Sequence, residues 1–210
     1  LPTRKGSFLN FARMKVDVIN DLRATFKNYL NTIISSPTAI YEPGFKYDII
    51  ANWKKHFSFE ELDISESFKK SLVSPVSGRL WEGERFSIKS EMLHLISQNP
   101  LFMKSTFQDL FNESKDLEMR ISRFVLHCDT ILGELNAKDD RFNNHKQSPY
   151  SASLFLSLEY PEKYGLYQYE TFSKFMKLVE SRNIPSEQEK ERYFKILNTL
   201  WIVNSKDDSC

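Results

Sequence analysis

The sequence predicts an all-α fold, an irregular bundle of about eight or nine helices, and three observations support this prediction. Apolar residues recur at helical spacing through most of the chain. Gly (6) and Pro (8) are scarce among the 210 residues, which favours long packed elements. Aromatic residues make up 14% of the chain, including 17 Phe, so we expect an aromatic core. With 40% hydrophobic residues the chain can bury such a core, and we expect a single helical domain over residues 1–210.

The first predicted element is a long helix over residues 8–34, with Ser7 as its N-cap. Its apolar face follows helical spacing with one polar interruption, through Phe11, Lys15, Val18, Leu22, Phe26, Tyr29 and Ile33. Residues 1–34 contain six basic and two acidic residues, although the whole chain carries a net charge of only +1. Arg13, Arg23 and Lys27 are therefore candidate phosphate contacts, and a solvated face of mixed charge is the alternative.

A helical core is predicted over residues 45–203, after a loop at about 35–44 that contains Ser, Pro and Gly. One face of its first helix carries Tyr47, Ile50, Trp53 and Phe57. Asp63 and Glu66 have the spacing of a capping box, which predicts a short helix that ends near Leu72.

The least helical stretch, residues 73–85, is predicted to be an exposed loop. A second candidate nucleic-acid contact lies in and after it, at Arg79, Trp81, Arg85 and Lys89. An indole offers a stacking face to a base, and cationic side chains pair with phosphates. The alternative is that the tryptophan is an anchor that packs against its own domain.

Ser87 is expected to open a helix that ends at Asn99-Pro100, residues that also supply the N-cap and first position of a helix over about 100–112. An amphipathic helix then begins at Asp116 and is expected to be a central element of the core. Its apolar face consists of Leu117, Ile121, Phe124, Cys128, Ile131 and Leu135.

A polar stretch without periodic apolar residues predicts a loop at 137–147. Helices are predicted after it at about 148–158, 171–180 and 186–203. Ser186 and Glu189 form a second candidate capping box at the start of the last helix. The sequence contains one short extended candidate, residues 165–169.

Several kinds of chemistry are disfavoured by the motifs. The chain has neither a Gly-x-x-x-x-Gly-Lys-Ser/Thr loop nor a Gly-x-Gly-x-x-Gly turn, so no nucleotide cofactor is predicted. Its four His are scattered and its two Cys form no cluster, so no metal site is predicted and a reducing compartment is favoured. Its apolar runs are shorter than a membrane span, and its N-terminus lacks the apolar stretch of a signal peptide. We therefore expect a cytoplasmic protein without a membrane partner.

One pair of residues suggests catalysis. Arg120 and His127 lie seven positions apart on one predicted helix, and this spacing resembles the Arg-x(4–6)-His signature of HEPN-type ribonucleases. Ile121 stands where a polar residue usually follows the Arg of that signature. The alternative is that His127 is a structural residue whose polar atoms are satisfied locally.

Three stretches of the chain are informative in combination. They are Ser-Gly-Arg-Leu-Trp at 77–81 with Lys-Ser at 89–90, Phe-x-Asp-Leu-Phe-Asn-Glu-x-Lys-Asp-Leu-x-x-Arg-Ile-x-Arg-Phe at 107–124, and Ser-Leu-x-Tyr-Pro-x-Lys-Tyr-x-x-Tyr-x-Tyr at 157–169. Together they resemble the region that precedes the AAA+ motor in bacterial McrB-like restriction ATPases. The resemblance covers most of residues 42–203 in the same order.

In that family the motor hydrolyses GTP or ATP, and a variable N-terminal region recognises DNA, often modified DNA, for a separate nuclease subunit. The resemblance implies that this chain, which contains no Walker motif, is an excised or stand-alone N-terminal domain that binds DNA without catalysis. Its partners would be DNA, an AAA+ motor in cis or in trans, and a nuclease subunit, with oligomerisation through the motor. The near-neutral charge and the abundant aromatic residues leave a second function open, a protein-interaction or scaffolding module of such a complex.

Overall fold

Helices are the regular secondary structure of the part that the structure, a computed structural model, describes. This part comprises residues 45–73, 88–137, 147–181 and 183–205, together with Asn20, Ala24 and His145. Between residues 45 and 205 it contains eight α-helices and no strand, which confirms the all-α prediction. The helices are α1 (Phe45–His56), α2 (Ser65–Ser71), α3 (Ile88–Gln98), α4 (Pro100–Leu110), α5 (Leu117–Asn136), α6 (Pro149–Glu159), α7 (Tyr169–Leu178) and α8 (Lys190–Ser205). No described helix combines the length and the apolar character that a membrane span requires.

The helix predicted at 8–34 lies outside the described residues, except for Asn20 and Ala24, which are helical and exposed. The extended candidate at 165–169 forms no strand: residues 165–168 belong to neither a helix nor a strand, and α7 begins at Tyr169. Gly165 lies so close to α8 that an added Cβ would stand 2.8 Å from Cδ2 of Leu197. The segment is therefore shaped by packing against α8 and not by strand pairing.

Two helix starts predicted from polar residues are confirmed. The side chain of Asn99 accepts a hydrogen bond from the backbone N–H of Phe102 at 3.2 Å, with Pro100 in the first turn of α4. The side chain of Asp116 accepts one from Met119 at 2.9 Å and starts α5. Each bond satisfies a backbone donor that has no partner within its own helix.

The two predicted capping boxes do not form as expected. Asp63 accepts from the backbone N–H of Ser65 at 2.8 Å, and Ile64 stands at the N-cap of α2. This short-range bond to the residue two positions on is the usual competitor of a helix cap for Asp. Glu189 does accept from the backbone N–H of Ser186 at 2.7 Å, but in a turn, so α8 begins at Lys190 and not at Ser186.

Helices α5 and α6 hold the core together. All six apolar positions predicted for α5 are buried, and α6 packs against both α1 and α5. Residues Ser151 to Leu156 of α6 are all buried, so this helix is covered on nearly every side. Aromatic rings from five different segments meet beside α6, which confirms the predicted aromatic core; they belong to Trp53, Phe57, Phe68, Phe107, Phe111, Phe124 and Phe155.

The polar stretch predicted as a loop is not helical at His145 and Gln147, but both side chains are buried. His145 Nε2 lies 2.8 Å from a carboxylate oxygen of Asp129 on α5, and His145 Nδ1 accepts from the backbone N–H of Gln147 at 2.9 Å. Gln147 Nε2 donates to the carbonyl of Ile88 at 3.2 Å. Polar composition predicted a loop here and gave no sign that these bonds fix its end to α3 and α5.

Candidate functional site

Of the predicted nucleic-acid contacts, Lys89 lies within the described residues. Its ammonium donates to the carbonyl oxygen of Leu72 at 3.1 Å, and its side chain is half-buried between α2 and α3. A phosphate contact by Lys89 would compete with this bond. The other six candidates lie outside the described residues and stay predictions; they are Arg13, Arg23, Lys27, Arg79, Trp81 and Arg85.

The described residues on either side of the segment that contains Arg79, Trp81 and Arg85 are held in place by hydrogen bonds. Asn52 Nδ2 lies 2.9 Å, 2.8 Å and 3.2 Å from the carbonyl oxygens of Lys70, Ser71 and Val73, so it fixes the chain just before residue 74. The bonds from Lys89 to Leu72 and from Gln147 to Ile88 fix the chain just after residue 87. Val73 and Ile88, the described residues on either side of this segment, are therefore both held on the helical body formed by residues 45–205, beside α2 and α3.

The stretches 107–124 and 157–169, which carry the resemblance, meet in the structure. Arg120 is only 3% exposed, and its two terminal nitrogens donate to the carbonyl of Leu110 at 2.8 Å and to the hydroxyl of Tyr164 at 2.9 Å. The Tyr164 hydroxyl in turn donates to Glu113 at 3.1 Å, and the other Glu113 oxygen pairs with Lys163. A continuous polar network thus joins the C-terminus of α4, the start of α5 and the turn after α6.

The ionisation of Glu113 follows from this network. Its partial burial raises the pKa of the carboxyl, but hydrogen bonds from Lys163 and Tyr164 and the charges of Lys163 and Arg120 outweigh burial and lower the pKa overall. Glu113 is therefore a carboxylate at neutral pH. Because its folded pKa lies below the unfolded value, the stability that it contributes is present at neutral pH and is lost as the pH falls through the folded pKa.

An open cleft of about 440 Å³ lies next to this network, between the start of α5 and the first turns of α8. Leu117 and Phe194 form its apolar part. Charged and polar side chains complete the lining; they include Glu113, Lys115, Asp116, Arg120, Lys163, Glu191, Lys195 and Asn198. The cleft therefore combines an apolar floor with closely spaced charges of both signs.

Most cations of this cleft are neutralised by neighbouring carboxylates. Lys115 pairs with Asp109, Lys163 with Glu113 and Lys195 with Glu191. Arg120 differs, because its partners among the described residues are a carbonyl and a phenol, and its Nε has no hydrogen-bond partner. The sequence singled out Arg120 through the ribonuclease spacing and the family resemblance, but no pattern indicated that it is buried.

Arg120 and His127, the candidate ribonuclease pair, have separate partners. They lie seven residues apart on α5, which is roughly 10 Å along the helix axis. His127 Nδ1 is 3.0 Å from the hydroxyl of Thr106, and its ring packs against Phe102. Burial is the main cause that lowers the pKa of His127, followed by an opposing effect of Asp109 and a further lowering by Arg123. His127 is therefore a structural residue whose ring nitrogen has a local hydrogen-bond partner, which was the alternative considered above.

Other side chains of the described part that could be reactive are buried or hydrogen-bonded to the backbone. Burial, aided by the charge of Asp129, raises the pKa of the Cys128 thiol and keeps it protonated. Tyrosine hydroxyls between the end of α6 and the start of α7 donate to backbone carbonyls, for example Tyr160 to Phe111 at 2.8 Å and Tyr169 to Pro185 at 2.9 Å. Among the described residues, no group of three or more His, Cys, Asp or Glu side chains is arranged to hold a metal ion.

Comparisons of the chain with protein-family models, with curated proteins and with solved structures found no match. The resemblance to McrB-like proteins therefore stays a hypothesis that depends on the three stretches quoted above.

Proposed function

We propose that the chain is a non-catalytic DNA-recognition domain of a McrB-like restriction ATPase, and that it binds DNA through the basic residues 1–34 and through Arg79, Trp81 and Arg85. The observation that carries this proposal is the distribution of charge. Residues 1–34 contain six Lys and Arg and two Asp and Glu, a net charge of +4. Residues 35–210 contain 23 Lys and Arg and 26 Asp and Glu, a net charge of −3.

This separation determines where a polyanion would bind. DNA phosphates are bound mainly by Lys and Arg, and an acidic surface repels them. The excess of positive charge coincides with residues 1–34, which hold Arg13, Arg23 and Lys27. Residues 74–87 add Arg79, Arg85 and Trp81 as candidate contacts, although Glu82 and Glu84 make this segment neutral overall. The motor and the nuclease would then act in the cytoplasm on DNA that these segments select.

A DNA titration with two matched triple variants tests the proposal. We expect wild-type protein to bind methylated, unmodified or single-stranded DNA in a fluorescence-anisotropy assay, with an affinity that falls steeply with salt. Arg13→Ala, Arg23→Ala and Lys27→Ala together should weaken binding and reduce the salt slope by about 0.9 for each phosphate that is no longer neutralised. Trp81→Ala should weaken single-stranded binding most, because stacking on a base contributes about 1–3 kcal/mol.

The control removes the same charge from the helical body. Lys55, Lys69 and Lys70 are exposed, and their combined replacement by alanine should leave the affinity and the salt slope unchanged. Equal weakening by both triple variants would indicate general electrostatic attraction. If none of the three DNAs binds at low salt, the DNA proposal is wrong.

A second candidate function, a protein-interaction module of the same complex, is favoured by the surface of the body. The cleft between α5 and α8 is largely charge-compensated, which suits a protein surface better than DNA. Large apolar side chains are also exposed on the body, among them Leu62, Leu101, Leu126 and Leu178. This second function would be supported if the protein does not bind DNA but associates stably with an AAA+ motor or a nuclease subunit.

The ribonuclease hypothesis yields a direct prediction. Because His127 is engaged with Thr106 and Arg120 is bonded to Leu110 and Tyr164, we expect His127→Ala to leave any RNA degradation by the purified protein unchanged. The measurement is cleavage of a labelled RNA by wild type and variant, with Arg123→Ala as a control for an exposed basic residue on the same helix. Loss of cleavage in His127→Ala alone, with the fold intact, would restore the ribonuclease hypothesis.

A further inference from the structure

Arg120 is a buried cation whose partners are neutral. Buried charges in proteins are normally paired with an opposite charge, because removing an ion from water is expensive. Three lysines that line the same cleft have carboxylate partners at ion-pair distance, whereas Arg120 has the Leu110 carbonyl, the Tyr164 hydroxyl and an unpartnered Nε. Among the described residues, no carboxylate forms an ion pair with Arg120.

Arg120 lines a cleft together with Glu113 and Tyr164, the residues of its polar network, so a ligand that displaces Glu113 enters this network from the cleft. Arg120 lines a volume of about 440 Å³, which lies within the usual range of binding pockets. Leu117 and Phe194 supply apolar surface beside it. A guanidinium presents its donors in a planar fork that matches the two oxygens of a carboxylate.

We propose that this cleft binds the carboxylate of an acidic side chain on a protein partner, with Arg120 as its anchor. The incoming carboxylate takes over Lys163 and the Tyr164 hydroxyl from Glu113, which holds both in the unbound protein. Glu113 lies in the turn between α4 and α5 and is exposed enough to move aside. In the unbound protein, Glu113 thus occupies the hydrogen-bond donors that the ligand needs.

The charges around Arg120 favour a protein side chain over a nucleic acid. Glu113, Asp116 and Glu191 also line the cleft, and these carboxylates repel a chain of phosphates while they attract basic residues on either side of an acidic one. Residues 35–210 together carry a net charge of −3 as well. The fitting partner is therefore a segment with one acidic residue between apolar and basic neighbours. This site is separate from the DNA-binding segments proposed above, so either proposal can fail alone.

The test uses the full chain and two peptides that differ in one group. The probes are the blocked pentapeptide Lys-Leu-Glu-Leu-Lys and its counterpart with Gln in the centre, titrated while the Nε–Hε signal of Arg120 and the backbone amides are followed by NMR. We expect a saturable shift of the Arg120 signal with the Glu peptide and at least tenfold weaker binding of the Gln peptide. Equal binding of the two peptides, or an Arg120 signal that does not move, overturns the proposal. Saturation by inorganic phosphate at lower concentration than by the Glu peptide also overturns it, because the site would then be one for phosphate.

Two variants are expected to change the affinity for the Glu peptide in opposite directions. Arg120→Lys keeps the charge but loses the fork and should weaken the Glu peptide at least tenfold, whereas Glu113→Gln removes the competitor and should strengthen it several-fold. Lys55→Ala, an exposed cation on α1 that does not line the cleft, should change nothing. If Arg120→Lys does not fold, Glu113→Gln decides, and an affinity that is unchanged or lower in Glu113→Gln is incompatible with the proposal.

Discussion

Replacement of Phe107 by alanine is expected to lower the free energy of unfolding by about 3–5 kcal/mol, the range for removal of a buried aromatic side chain. Phe107 is fully buried in α4, and its ring centroid lies 5.3–5.8 Å from five other Phe rings. Those rings come from the chain after α1 and from α2, α5, α6 and the end of α4. The substitution therefore leaves a cavity where α2, α4, α5, α6 and the chain after α1 pack together. Urea denaturation followed by circular dichroism measures the loss.

Leu101→Ala is the matched control for this substitution. Leu101 lies on the same helix but is 60% exposed, so its removal should change the unfolding free energy by no more than about 0.5 kcal/mol. The urea m-value should be the same in both variants and the wild type if the compactness of the folded and unfolded states is unchanged. A small effect of Phe107→Ala, similar to that of Leu101→Ala, would show that the aromatic cluster does not form as described.

Asn52→Asp is expected to destabilise the protein more than Asn52→Ala, although Asp has the same shape as Asn. The Asn52 amide group points its N–H donors at the carbonyl oxygens of Lys70 and Ser71 at the end of α2 and of Val73 just beyond it; the Lys70 carbonyl also accepts from the backbone N–H of Val73. Alanine leaves these carbonyls without the amide, for which we expect a loss of about 1–3 kcal/mol. Aspartate adds repulsion, because it places acceptor oxygens against acceptor oxygens.

The test compares the melting temperatures of the two Asn52 variants with that of Asn198→Ala. Asn198 donates to one carbonyl, that of Lys163, near the surface, so its loss should be the smallest of the three. At low pH the aspartate of the Asn52→Asp variant becomes protonated and regains a donor, so the difference between Asn52→Asp and Asn52→Ala should narrow. An Asn52→Asp variant as stable as wild type would mean that the amide does not face the carbonyls.

The sequence was informative wherever local chemistry determines structure. Helix α5 was predicted with its six buried apolar residues, because a long amphipathic period leaves one solution for the buried face. The N-cap Asn99 was predicted for a related reason, since a cap involves residues only three positions apart; Asp116 was predicted as the start of α5, and the structure shows that it is also the N-cap. Asp63 was not predicted correctly, because its side chain can either cap a helix or bond to the backbone N–H two residues on, and the sequence does not indicate which bond is more stable.

The candidate site was less predictable because its parts are distant in the chain. The bond from Arg120 to Tyr164 joins residues 44 positions apart, and helical periodicity carries no information about such pairs. Periodicity placed Arg120 at the flank of a buried face, so its burial was not expected. His145 and Gln147 are a similar case, because their polar character predicted a loop while their hydrogen bonds bury them. The six predicted nucleic-acid contacts outside the described residues depend on charge and stacking arguments alone.

The fixation of Val73 and Ile88 has a consequence for how this protein can diversify. Asn52 and Lys89 hold Val73 and Leu72, and Gln147 holds Ile88, so the chain on either side of residues 74–87 is anchored by side chains outside that segment. Loop closure adds only about 0.6 kcal/mol for each doubling of loop length. A change in the number of residues between Val73 and Ile88 therefore has a small closure cost, and we expect length variation among related sequences to concentrate there.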